Sequence, residues 1–362
     1  IVKDKDRAKF LNNKSANACF TGILSVPSMP GTNKIKSRKI TVSFTTYPER
    51  IPYVFSVIDD IAAQTVPADD VVLNLAECQF PGREAEVPQN LRERIDKGLV
   101  RINWCPEDLR SHKKYYYIMQ QKPEDLIITV DDDLRYPPDM IKTLLYSYIC
   151  HPDCVSGMRC HVVVASREKG SVLGYNHWIM QYTEKLLTPS YQIFLTSGAG
   201  TLYPPHSLDE RVFDKEKILS LCPNADDVWL NLMQLADKTK SVCACDKFYL
   251  HYSAPQSNSL FSVNVGENQN DVQYAAVRDY LKSELGGDIV LEADSRVSSL
   301  IDYRFKHHFK ATRGTHGKGS KMNGANGEDL VLKVPVGTIV REYNDETKET
   351  GEAIADLTHD GE

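Results

Sequence analysis

The stretch Leu126-Ile127-Ile128-Thr129-Val130-Asp131-Asp132-Asp133 carries five apolar or β-branched residues straight into three carboxylates. A short apolar run of this kind reads as a buried strand. Three adjacent carboxylates repel one another, and a cation or nearby base must offset that cost. In an extended segment Asp131 and Asp133 point to one side and Asp132 to the other. Two oxygen ligands on one side suit Mg2+ or Mn2+, with diphosphate oxygens and water completing the shell. The competing reading is a solvated loop in which one aspartate caps a helix.

Working outward, residues 40–44, 71–75 and 99–104 read as further strands. Between them, residues 51–64, 90–97 and 113–121 carry helical spacing. After the aspartates, Pro137-Pro138 open a helix through Met140 to Tyr148, and later helices fall at 228–235 and 272–285. Strands alternating with helices predict an α/β fold with a mostly parallel sheet and helices on both faces. Ligands of such sheets collect beyond the carboxyl ends of the strands, where Thr45-Thr46, Cys105 and the aspartate run fall.

The chain has 362 residues, 41% apolar and 25% charged, enough for a real core and more than one domain. A net charge of −6 argues against a general nucleic-acid binder, so nucleic acid is not an expected partner. The nine cysteines are odd in number and scattered, unlike a disulfide framework. Nothing approaches a membrane-spanning length, and no signal peptide is readable, which makes the cytoplasm the expected compartment. The chain begins at Ile1 without a methionine, and residues 1–37 read as a polar lead-in or the remnant of something upstream. Near residue 285 the α/β rhythm stops. Beyond it lie extended runs at 288–293, 329–340 and 353–357, with a basic, glycine-rich stretch over 304–326. The expected domains are therefore 38–285 and 286–362.

Four other groups bear on chemistry. Asp226 and Asp227 precede an apolar helix; Asn224 and Asp227 are spaced close to a capping box, yet one carboxylate of the pair could equally serve as a general base. Lys113 and Lys114 either neutralise a diphosphate or solvate a face. Thr196-Ser197-Gly198-Ala199-Gly200 reads as a flexible small-residue loop whose backbone comes close to a sugar or phosphate, or as a simple turn. Gly314 to Lys321 lacks the spacing of a nucleotide-binding Walker loop and has no helix after it.

The stretches 42–50, 110–114, 128–133, 198–205, 222–229 and 270–273, in this order, resemble a family 2-type glycosyltransferase of the GT-A fold, closest to bacterial surface-polysaccharide enzymes. The resemblance implies a nucleotide-sugar donor and a glycan or lipid-linked acceptor, hence contact with the inner membrane surface without a spanning helix. It places Thr45, Tyr47 and Arg50 near the nucleoside and Lys113 or Lys114 near the ribose or diphosphate. Asp131, Asp132 and Asp133 take the place of the family's metal-binding acidic motif, with Asp133 as the direct ligand. It also implies Asp227, ahead of Asp226, as base of an inverting transfer, with Gly198 and Gly200 beside the donor.

The stretches 286–294, 302–311, 323–331 and 333–338 resemble part of the glycine-rich N-terminal domain of Obg GTPases, a family linked to ribosome assembly. The opening glycine-rich segment of that domain is missing and no GTPase domain follows, so GTP binding is not expected. A ribosome- or RNA-associated binding protein acting through this tail is the alternative to the transferase.

Overall fold

The computed structural model describes residues 38–166, 171–182, 187–245, 250–255, 268–285, 289–304, 309, 330–344 and 348–362. The lead-in 1–37, the glycines 286 and 287, and the stretch 310–329 with its glycine-rich run lie outside these residues. The described residues fall into two units, the second taking Ser171 and the residues from Ala275 onward.

In the first unit, strands β1 (Ile40–Thr45), β2 (Asp70–Ala76), β3 (Arg101–Cys105) and β4 (Leu126–Val130) are mutually parallel. Helices α1 (Phe55–Ala62), α2 (Gln89–Asp96) and α3 (Lys113–Gln121) connect them. The helical spacing over 51–64 becomes a 3-10 turn, Ile51–Tyr53, with Pro52 in its first turn, followed by α1. There follow α4 (Met140–Cys150), β5 (Val155–Gly157), β6 (Cys160–Val162), β7 (Ile193–Leu195) and β8 (Ala199–Tyr203). The unit continues with α5 (Lys215–Leu221), α6 (Asp226–Ala236), β9 (Ser241–Cys243) and the start of α7 (Gln269–Leu285). The seven-stranded sheet has the order β9-β5-β8-β4-β1-β2-β3, with β8 antiparallel to both its neighbours. Strands β6 and β7 form a separate antiparallel pair.

Alternate residues of the strands explain why helices cover both faces. Val42, Phe44, Ile128 and Val130 pack with Val57, Ile58 and Ile61 of α1 and Ile141, Leu144 and Leu145 of α4. Val72 and Ile127 point the other way, onto Ile118 of α3. Burial on both faces is why β4 shows no polar alternation. Phe44 is completely buried, and Phe44→Ala is expected to cost about 3–5 kcal/mol, read from the urea midpoint.

The chain lays β2 and β3 on one side of β1, then places β4 on the other. That reversal opens a crevice at the carboxyl ends of β1 and β4, where ligands of open α/β sheets bind. Ser43 stands opposite Thr129, so Thr45-Thr46 and Asp131 leave the sheet side by side.

The second unit contains β10 (Ile289–Ala293) parallel to β11 (Leu330–Val334), and the antiparallel pair β12 (Thr338–Asn344) and β13 (Glu349–Leu357). The single extended run read over 329–340 is broken at Pro335-Val336-Gly337, where Gly337 adopts φ +88° and donates to the Leu357 carbonyl. Ala293, Val334 and Leu357 form a small core. Asp294 joins the elements by accepting from Arg296 and Lys333. Among the described residues each of these strands has a single neighbour, which leaves sheet edges open. Val331, Ile339, Tyr343 and Ile354 are exposed.

Candidate functional site

At the end of β1 the chain turns toward β4. Thr45 gives its hydroxyl to the Asn74 carbonyl (2.8 Å), whereas Thr46 donates to the Asp132 carboxylate. Arg50 lies over the Tyr47 ring, 5.6 Å from its centroid. Its Nη1 donates to Asp132 Oδ1 at 3.0 Å and Asp133 Oδ2 at 2.7 Å. Burial opposes the Arg50 charge, but Asp132 and Asp133 outweigh it and hold the guanidinium protonated above its usual range. Burial pushes the Asp132 carboxyl up to about 6, against the pull of Arg50.

The alternation expected of the three aspartates does not hold. Residues 132 and 133 form a turn just beyond β4, so Asp132 and Asp133 converge on Arg50 and Asp131 takes a different partner. That partner is Lys114, on the first turn of α3. Its ammonium donates to Asp131 Oδ1 (2.6 Å) and Ser197 Oγ (3.2 Å) and pairs with Asp226 Oδ2 at 2.9 Å, which uses all three of its N–H bonds. Burial alone would lower the Lys114 pKa; Asp131 and Asp226 raise it well above the ordinary lysine value. Lys113 points elsewhere, to Asp108 and to Gln79 Oε1 at 3.2 Å. Neither lysine solvates a face.

The small-residue stretch is not a flexible loop. Residues 196–198 make a buried link between β7 and β8, and Ser197 is completely buried. Ser197 donates through its backbone N–H to Asp227 Oδ1 (2.7 Å) and through its hydroxyl to Asp226 Oδ2 (2.5 Å). A side chain on Gly198 would meet Asp131 Oδ2 at 1.7 Å, so the glycine makes room for that carboxylate. Gly200, at φ +97°, faces Met140 and Met158 and stands outside the pocket lining.

The capping-box spacing is not used either. Helix α6 has no side-chain cap, Asn224 Oδ1 accepts from Arg110, and Asp227 is bound to Ser197. Burial would raise both carboxyls of the pair. Lys114 overrides it at Asp226, which is held well below the usual carboxylate range. At Asp227 burial and the neighbouring Asp226 charge prevail and push the carboxyl up to about 7. Behind the pair, His112 Nε2 donates to the Cys222 carbonyl (2.7 Å), which leaves Nδ1 to accept from the Tyr115 hydroxyl (2.9 Å). Burial lowers its pKa to about 4, so the ring is neutral at pH 7.

The aspartates, Arg50 and both lysines open on one cavity of about 510 Å³, within the range of small-molecule sites. It is lined by Thr45, Tyr47, Arg50, Lys113, Lys114, the three aspartates 131–133, Gly198 and the pair Asp226-Asp227. Ser197 was read only as part of the small-residue stretch, and Arg159 was not among the candidates read from the sequence. A lone arginine far from any motif gives no signal until the fold supplies its neighbours.

The donor set can be tested against a divalent ion. Among the described residues no group of three or more His, Cys, Asp or Glu side chains is arranged as a metal cage. Asp131 and Asp133 offer hard oxygen donors that suit Mg2+ or Mn2+. Each already has a cation of the chain beside it, Lys114 or Arg50. The residues therefore fit an open site that takes most of its oxygens from a substrate and solvent, and not a closed protein cage. No helix among the described residues is long and apolar enough to cross a membrane.

Comparison with known proteins separates the two parts of the chain. The family model described as GTP1/OBG matches residues 284–362. Over 77 residues the chain is 49% identical to GTPase Obg of Persephonella marina and 52% identical to that of Sulfurihydrogenibium sp., in each case 21% of both chains. It is 53% identical to GTPase Obg of Desulforamulus reducens over 77 residues, 21% of this chain and 17% of that one. The chain thus spans about a fifth of the length of the curated relatives it matches. Among solved structures it is similar to the mannosyltransferase PcManGT of Pyrobaculum calidifontis in complex with GDP-Man and Mn2+, with 15% identity, TM-score 0.44, and coverage of 75% of this chain and 70% of that one. It is also similar to S. aureus TarS 1–349, with 13% identity, TM-score 0.38, and coverage of 67% and 69%. These likenesses are remote, and at such scores they carry no weight for activity. The Obg likeness of the tail is the stronger finding. It overturns the expectation, drawn from net charge, that nucleic acid is not a partner: a whole-chain charge of −6 says nothing about one 79-residue segment matching that family.

Proposed function

We propose that the first part of the chain, residues 38–285, transfers a sugar from a nucleotide-sugar donor to an acceptor hydroxyl in surface-glycan synthesis. The supporting observation is the joining of two acidic motifs, 131–133 and 226–227, across Lys114 and Ser197 in one cavity. Thr45, Tyr47 and Arg50 line its nucleoside side. Asp133 and Asp131 would hold Mn2+ or Mg2+, which when bound neutralises the donor diphosphate and improves the leaving group. Lys114, kept charged by its carboxylate partners, adds positive charge beside the phosphates. Asp227 takes the acceptor proton as the oxygen attacks the anomeric carbon, with inversion. A carboxyl near neutrality is suited to that step at pH 7, and the Ser197 N–H fixes its orientation. The acceptor would be a growing or lipid-linked glycan met in the cytoplasm at the inner membrane surface.

The test is nucleoside diphosphate release from a panel of nucleotide sugars with Mn2+ or Mg2+, then with EDTA. Metal-dependent release from one donor is expected; release of pyrophosphate instead would point to nucleotidyl transfer. Asp133→Ala should abolish metal-dependent donor binding, and equal affinity for wild type and variant in Mn2+ would remove the metal assignment. Gly198→Ala, by displacing the Asp131 carboxylate, is expected to weaken Mn2+ binding roughly 10–100-fold by calorimetry.

A second reading is favoured by the comparisons, which weigh more for the tail than for the transferase. Residues 284–362, at 49% identity to an Obg GTPase over 77 residues, would act as a ribosome- or RNA-associated binding module. Salt-sensitive co-sedimentation of the full chain with ribosomes is expected on this reading, and its absence at low salt would exclude it.

A further inference from the structure

The cavity holds a cation that the proposed transfer does not use. Arg50, Lys113 and Lys114 are each paired with a carboxylate, and Arg110 donates to Asn224. Arg159, between β5 and β6, also lines the cavity, yet its Nε is buried without a hydrogen-bond partner. Its place is set by the main chain: the Arg159 carbonyl accepts from the Thr196 N–H (3.2 Å) and hydroxyl (3.4 Å). The next residue, Ser197, holds Asp227. Two consecutive residues therefore hold the Arg159 main chain and the proposed base.

Tyr175 completes the group. It lines the same cavity, its backbone N–H is held by Asp271 Oδ1 at 2.6 Å, and its ring packs on Trp178 at 4.9 Å and Phe194 at 6.0 Å. Its phenol is pushed up to about 12, by burial first and then by Asp227, with Arg159 opposing, so it stays a hydrogen-bond donor within electrostatic reach of both. A guanidinium with unused donors beside a phenol is suited to an anion with two or more oxygens. The diphosphate of the donor is provided for elsewhere, by Lys114 and the aspartates after β4.

We infer that Arg159 and Tyr175 form an anion subsite on the acceptor side of the cavity, so that the acceptor carries a phosphate or carboxylate group near the hydroxyl that receives the sugar. This rests on the transferase reading for its role and on Arg159 for its chemistry.

The test is calorimetric titration of inorganic phosphate, glycerol 3-phosphate and glucuronate into the full chain, with and without saturating Mn2+-pyrophosphate to fill the donor side. At least one probe is expected to bind the wild type about tenfold or more tighter than Arg159→Gln, with partial recovery in Arg159→Lys. Pyrophosphate should leave that binding unchanged. The stronger of glycerol 3-phosphate and glucuronate distinguishes phosphate from carboxylate. Arg159→Gln retains the carbonyl that Thr196 uses, so an unchanged melting temperature is expected and loss of folding is recognisable. Equal affinity of every probe for wild type and Arg159→Gln, or no binding to either, overturns the subsite. Competition by Mn2+-pyrophosphate also overturns it, because Arg159 would then serve the donor. Anion binding that depends on Arg159, in a chain that releases no nucleoside diphosphate from any donor, would support the subsite and count against the transferase reading alone.

Discussion

Asp227→Asn is expected to lower the transfer rate by roughly 10²–10⁴-fold, the range of a lost general base, while donor binding persists. In the wild type the rate should climb with pH toward about 7 and then level, because only the ionised carboxylate accepts a proton. The same substitution should leave the protein as stable as the wild type or more so above neutrality. The Asp227 pKa lies at about 7 when folded against an ordinary 3.8, so between those values the folded state holds a proton the unfolded chain has released. Stability therefore falls as pH rises through that window, and asparagine removes the effect while still accepting from the Ser197 N–H. Melting curves at pH 5 and pH 8, beside initial rates, test both halves. A variant that melts well below the wild type at pH 8 would show that Asp227 acts as a structural charge.

Lys114→Met is expected to destabilise the first unit by about 3–5 kcal/mol, because it leaves buried Asp226 without its cation. Asp131, whose side chain is 40% exposed, loses the same partner but is partly screened and adds less. Lys114 has a raised folded pKa, so its contribution is complete below the ordinary value of 10.5 and disappears only as pH rises through the folded value. Asp226 has a depressed one, so its contribution is complete above 3.8 and disappears as pH falls through the folded value. The difference between variant and wild type should be largest between about pH 7 and 9, where Asp227 is ionised as well, and shrink as pH falls, because without Lys114 burial makes the carboxyls take up protons. Urea midpoints across that range would measure it. A variant with the wild-type midpoint at pH 7 would mean the ion pairs merely balance their desolvation.

Much of the first unit was legible because local rules and global packing agree. The β4 run reads as a buried strand and is one, since a strand covered on both faces needs no polar residue. The helix predicted over 113–121 forms at those residues. The Asp131-to-Asp133 prediction failed for the opposite reason: period-two alternation applies only while the strand continues, and here it ends at Val130. The capping box failed because Ser197, thirty residues before Asp227, offers that carboxylate a better donor than the helix end does. Charge misled at the tail, where a segment matching GTP1/OBG is averaged into the net value of −6.

The sequence by itself determined the strands, the helices and the residue types of the acidic motifs, because apolar periodicity and adjacent carboxylates are local properties. Only the tertiary structure decided which charges meet. Lys114 joins Asp131 to Asp226, Arg50 joins Asp132 to Asp133, and the Arg159 main chain and Asp227 are held by the neighbouring Thr196 and Ser197. In the chain no periodicity links the partners of these contacts. The energies of buried charges depend on distance and desolvation in space, so the role of each carboxylate appears only when the sheet has closed around it.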